Sequence, residues 1–120
     1  MSPRKKRSFF SSQQELDAAQ LQDVTEALGA TSTTEVKVGE MVKVYGAIRA
    51  LRIRPNLSVP MVEAELWDGS GFITLIWLGR RSIHGITPGR AVIAQGRLSR
   101  GPAEQPTLFN PKYELLPVGE

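Results

Sequence analysis

The residues of this 120-residue chain best suited to binding chemistry are cations and aromatic rings, and the cations are clustered. Residues 43–54 carry Lys43, Arg49, Arg52 and Arg54 without an acid, and residues 80–100 carry Arg80, Arg81, Arg90, Arg97 and Arg100 without one. The formal net charge is only +3, so it is the clustering and not the sum that points to a polyanionic partner. The plain alternative is that these arginines are solubilising surface charge. Near them lies the run WDGSGFITLIWLGRR, from Trp67 to Arg81, whose large apolar residues fall on both faces of a strand. One face can be core. The other, with Trp67, Phe72 and Ile76, asks for a second explanation.

Other chemistries have little support. Without cysteine there is no disulfide, thiolate metal site or thiol nucleophile. A lone histidine, His84, cannot build the usual zinc ligand set. Asp68 sits in a turn, where aspartate caps backbone N–H groups. Glu63 and Glu65 share one strand face and read as solvated charge. No nucleophile elbow, dinucleotide fingerprint, phosphate-binding P-loop or calcium loop is present. The chain is expected not to be an enzyme and to hold no metal or cofactor. No apolar run approaches membrane-spanning length, and Phe9-Phe10 is too short for a signal-peptide core. A cytoplasmic location without a membrane partner is the expectation.

Several elements must position the cations and rings. Residues 1–11, with Arg4, Lys5, Lys6 and Arg7, read as a disordered basic tail. Ser12-Gln13-Gln14-Glu15 has capping-box spacing, which predicts a helix over 12–30 with Leu21, Val24 and Leu28 on one face and Gly29 as C-cap. Residues 31–35 read as a linker. From 36 to 118 β-branched and aromatic residues alternate with polar ones between Gly and Pro breaks. Five strands are predicted, at 41–53, 60–67, 71–78, 90–99 and 107–116. The segment from Gly39 to Ile48 matches that from Gly89 to Leu98, both reading G-x-x-V-x-(V/A)-x-G-x-(I/L). Either this is chance, or each copy is an alternating strand bent at its central glycine, as a small closed barrel requires.

This ordered set resembles an OB-fold domain, a five-stranded all-β barrel, here preceded by a helix and a basic tail. The Gly39 segment resembles the first OB strand, Trp67-Asp68-Gly69-Ser70-Gly71-Phe72 the second-to-third hairpin, and the Gly89 segment the fourth strand. Asn110-Pro111-Lys112-Tyr113 is similar to the N-P-x-(Y/F) strand in the wedge domain of RecG-type branch-migration helicases. The size and basic N-terminus also resemble short stand-alone OB-fold proteins of actinobacteria. Helicase activity does not carry over, because the chain has neither a phosphate-binding loop nor room for ATPase domains.

The resemblance implies binding of single-stranded or branched nucleic acid across the barrel face, by base stacking and phosphate contact. Alternation puts Val42, Val44, Ile48, Val62, Ala64, Leu66, Ile73, Leu75, Trp77, Val92, Ala94 and Leu98 inward. It puts Lys43, Tyr45, Arg49, Glu63, Glu65, Trp67, Phe72, Thr74 and Ile76 outward. Tyr45, Trp67 and Phe72 are then the stacking platforms, and Lys43, Arg49, Arg52, Arg54, Arg97 and Arg100 the phosphate contacts, with Arg80 and Arg81 peripheral. DNA is favoured over RNA only through the helicase-like strand, since no residue reads a 2′-hydroxyl. Two alternatives stay open: the helix covers the rings, or the same patch docks a protein partner or a second copy. Ile83 and Ile86, or the helix, are the candidates to plug the barrel end.

Overall fold

The computed structural model describes residues 9–54 and 58–116, with side chains from residue 18 onward. Arg4, Lys5, Lys6 and Arg7, the loop residues Pro55 and Asn56, and the last two residues of the predicted barrel lie outside the described residues. The elements are helix α1 (Phe9–Ala27) and strands β1 (Met41–Arg54), β2 (Met61–Trp67), β3 (Phe72–Leu78), β4 (Ala91–Arg100), β5 (Pro106–Phe109) and β6 (Lys112–Leu115). The sheet order is β1-β2-β3-β5-β4-β6, and β1 also pairs with β4, which closes the five strands β1-β2-β3-β5-β4 into a barrel. β3 and β5 run parallel and every other pairing is antiparallel. The fold is an all-β, OB-like barrel with an N-terminal helix.

All twelve residues assigned inward form one buried core, joined by Leu108. Ile83 and Ile86, from the segment between β3 and β4, belong to the same core and fill the role of the plug. The matched glycine segments turn out to be partners. Val42 pairs with Gly96, Val44 with Ala94 and Gly46 with Val92, so the two copies face each other about a local two-fold. The Gly39 N–H donates to the Leu98 carbonyl and the Gly89 N–H to the Ile48 carbonyl, both glycines being left-handed. At Gly46 a Cβ would collide with the Trp67 carbonyl, so only glycine lets β1 bend this close to β2.

Two boundaries differ from expectation. α1 begins at Phe9, ahead of Ser12, so Ser12 lies inside the helix and is not its cap. The predicted fifth strand, 107–116, is two strands. Asn110 is left-handed and Pro111 lacks an N–H, so the ladder breaks between them. The break is used: Asn110 accepts from the Leu78 N–H through Oδ1 and donates its own N–H to the Ile76 carbonyl. The Pro111 carbonyl accepts from Trp77 Nε1, and Tyr113 meets Trp77 edge-on at 5.6 Å.

α1 docks on the outer face of β1 and β4, where Leu21, Val24 and Leu28 cover Tyr45 and Ile93. Burying each large side chain contributes about 1.5–3 kcal/mol, which a marginal helix of this length needs. Its C-terminus closes as a Schellman motif. Gly29 is left-handed, its N–H reaches the Glu26 carbonyl, and the Ala30 N–H reaches the Thr25 carbonyl. The Lys43 ammonium adds a bond to the Leu28 carbonyl at this negative end.

Residues 31–35 return the chain to the β2–β3 turn. The Asp68 carboxylate, buried at 0% exposure, gathers that turn and the returning segment. It accepts from the Thr33 N–H at 2.6 Å, the Thr33 hydroxyl at 3.0 Å, the N–H groups of Ser70 and Gly71 at 2.8 and 3.0 Å, and the Ser70 hydroxyl at 2.7 Å. Gln22 of α1 donates to the Asp68 carbonyl. The linker is thus a strap. Among the described residues, no helix is long and apolar enough to cross a membrane, and no cluster of three or more acids or histidines suits a metal ion.

Candidate nucleic-acid interface

One local irregularity decides where the arginines point. β1 pairs with β2 in register up to Ile48 opposite Leu66, then slips, and resumes at Ala50 opposite Glu65. Arg49 is the extra residue of a β-bulge. Strict alternation from inward-facing Ile48 would turn Arg52 into the barrel. The bulge resets the phase, so Leu51 packs against the core and Ala50, Arg52 and Arg54 face out.

The outer face of β1, β2 and β3 therefore carries successive cross-strand rows. Trp67 lies opposite Phe72, Glu65 lies between Ala50 and Thr74, and Arg52 lies beside Glu63, Ile76 and Phe109. Two grooves follow these rows. The first is lined by Arg49, Ala50, Glu65, Trp67 and Phe72. The second is floored by Ile76 and Glu63, walled by Arg52, Arg54, Met61 and Phe109, and closed by Pro102, Ala103 and Gln105 of the β4–β5 loop. Trp67 and Phe72 form a tilted ring pair, centroids 4.9 Å apart with 40° between planes. Trp67 is partly buried against the helix cluster, whereas Phe72 is 49% exposed.

Electrostatics on this face are mixed. Glu63 pairs with both Arg52, at 3.5 Å, and Arg54, at 3.8 Å. Glu63 is largely covered but both arginines are about half exposed, so solvent screens these pairs to about 0–1 kcal/mol each and they orient the guanidiniums without committing them.

Of the eleven residues singled out from the sequence, five converge here: Arg49, Arg52, Arg54, Trp67 and Phe72. The others do not. Tyr45 is 8% exposed beneath α1, and this burial raises its hydroxyl pKa; it cannot stack on a base while the helix is docked. Lys43 is held at the end of the same helix. Arg97 lies opposite Met41 and donates to the Gly39 carbonyl at 2.7 Å, on the β1–β4 face. Arg100 pairs loosely with Glu104 and lines a separate hollow with Lys37, Val38 and Pro106. Arg80 and Arg81 are exposed in the segment after β3 and line neither groove. Thr74 and Ile76, assigned outward, do face out but are buried, Ile76 as groove floor. The helix thus covers Tyr45, part of Trp67 and not Phe72.

Phe109 is the ring that sequence reasoning missed. It is 40% exposed and aligned with Ile76 through the parallel β3–β5 pairing. Its signal was present, as the residue alternating with the core residue Leu108, but the register that sets it beside Ile76, in one row with Glu63 and Arg52, is a long-range fact.

No protein-family model matches the chain, and no curated protein matches it. Among solved structures it is similar to RecG bound to a three-way DNA junction, with a TM-score of 0.54 and 20% identity. The match covers 67% of this chain and 11% of that one. It bears on the barrel architecture alone.

Proposed function

We propose that this barrel is a non-enzymatic, cytoplasmic binder of single-stranded or branched nucleic acid, DNA in the first instance, on the outer face of β1, β2 and β3. The observation that carries the reading is the bulge at Arg49, which brings three arginines onto the same face as exposed Phe72, Trp67 and Phe109. Phosphates follow the β1 rim, and bases lie over β2 and β3 against the rings. From Phe72 to Ile76, the residue beside Phe109, the strand rises about 13 Å, close to four stacked bases at 3.4 Å and to the smallest site sizes of this fold. The likeness to a protein solved on a three-way DNA junction supports DNA, and branched DNA, as the ligand to try first.

The test is binding of labelled single-stranded, duplex, forked and RNA ligands at two ionic strengths. The groove's three arginines should contribute about −2 to the slope of log K against log salt on a single strand. Absence of binding to every ligand at low salt overturns the proposal. Glu63 gives a finer check. Glu63→Gln frees Arg52 and Arg54 from their shared carboxylate and is expected to tighten binding about fivefold, in line with the modest worth of exposed pairs. Weaker binding would mean that Glu63 chiefly positions the arginines.

A second reading rests on the apolar side chains exposed on the same face, Phe72, Phe109 and Leu78. They suit a protein partner or a second copy. Concentration-dependent self-association without oligonucleotide binding is the outcome that would favour it.

A further inference from the structure

Glu65 has no task in the reading just given, and an acid in a cationic, aromatic groove opposes phosphate. It lines the first groove with Arg49, Ala50, Trp67 and Phe72. It stands two residues before Trp67 on the same face of β2, about 7 Å along the strand. Unlike Glu63, it makes no ion pair or side-chain hydrogen bond among the described residues. Across the strands it lies opposite Ala50, next to the bulged Arg49.

Side by side, Arg49 and Glu65 therefore offer one donor group followed by two acceptor oxygens beside a ring wall. A guanidinium only donates and a carboxylate only accepts. The complementary edge is acceptor, donor, donor. Guanine alone among the common bases has it, as O6, N1–H and the 2-amino group. Adenine and cytosine each present an amino group to the guanidinium and a bare ring nitrogen to the carboxylate. Thymine and uracil match at O4 and N3–H, but turn O2 toward the second carboxylate oxygen.

We infer that the groove formed by Arg49, Glu65, Trp67 and Phe72 is a guanine pocket within the nucleic-acid face. The base stacks on the Trp67–Phe72 pair, Arg49 donates to O6, and Glu65 accepts from N1–H and the 2-amino group. This rests on the nucleic-acid reading and gives it a base preference. It also explains the acid, which costs affinity for phosphate in general and returns it for one base.

The test uses the full chain and fluorescein-labelled nine-mers of thymidine with one central substitution, followed by anisotropy at low salt. A central guanine is expected to bind at least about fivefold more tightly than thymine, adenine or cytosine, the lower end of what a bidentate base contact supplies. Hypoxanthine, which lacks only the 2-amino group, should fall between guanine and thymine. Glu65→Gln keeps the shape but replaces one acceptor oxygen with a donor. It should bring guanine and thymine within about twofold, while the all-thymidine strand binds more tightly for want of the negative charge. Equal binding of all nine-mers, or a guanine preference that survives Glu65→Gln, overturns the pocket and leaves nucleic-acid binding standing. No binding of any nine-mer overturns both.

Discussion

Replacing Asp68 with alanine is expected to lower folding stability by about 3 kcal/mol or more and the melting temperature by about 10 °C or more, read by circular dichroism. The carboxylate accepts from five donors: the Thr33 N–H and hydroxyl, the Ser70 N–H and hydroxyl, and the Gly71 N–H. Removing it leaves the two Thr33 donors buried and unsatisfied, which costs more than their bonds contributed, and strips the partly exposed Ser70 and Gly71 donors of their partner. It also releases the strap that ties residues 31–35, and with them α1, to the hairpin. Thr33→Val removes one donor together with its need, and should cost only about 1 kcal/mol. The same carboxylate sets an acid limit. Burial acts to raise its pKa, but the Thr33, Ser70 and Gly71 donors outweigh burial and hold the folded value below the ordinary one. Its stabilisation is therefore complete above the unfolded value of about 3.9 and is lost as pH falls through that value toward the lower folded one. Asp68→Asn should remove this part of the acid transition. A melting temperature within about 3 °C of the parent for Asp68→Ala would show that the turn closes without the carboxylate.

Much of the barrel was legible because one-sided patterns survive folding. Residues alternating from Val42 to Ile48, in β2 and in the Gly89 copy must choose one face, and the core took the expected one. Gly29 announced the helix end for a reason local to the backbone. What could not be read was anything set by register between distant strands. No local cue marks Arg49 as the bulged residue, yet that slip decides whether Arg52 and Arg54 face solvent. Nor does alternation say what lies above an outward residue. Tyr45 and Trp67 both point out of the barrel, but the Leu21, Val24 and Leu28 stripe settles over Tyr45 and only touches Trp67. Asn110 and Pro111 carry a motif and a strand break at once, and the break shows only against the partner strands β3 and β4. Only some of the singled-out residues share one face, because charge type is written in the sequence and charge direction is not.

That division sets the last and most discriminating expectation for binding. Phe72→Ala is expected to weaken oligonucleotide binding by about 1–3 kcal/mol, roughly 5- to 150-fold, with little loss of stability. Phe72 is 49% exposed and lies outside both buried clusters. Trp67→Ala should weaken binding as much, but it also strips a contact from α1, so its affinity must be compared at equal folded fraction. The opposite pattern applies to the rings that the fold consumes. Trp77→Phe loses the bond from Nε1 to the Pro111 carbonyl, and Tyr45→Leu removes a ring packed beneath the helix. Either should move thermal stability and leave the dissociation constant within about twofold. Four substitutions thus separate a surface that grips bases from a core that merely contains aromatic residues. If Phe72→Ala binds like the parent while Tyr45→Leu does not, then α1 lifts away from β1 and β4 on binding, and the ligand lies on the face this helix covers.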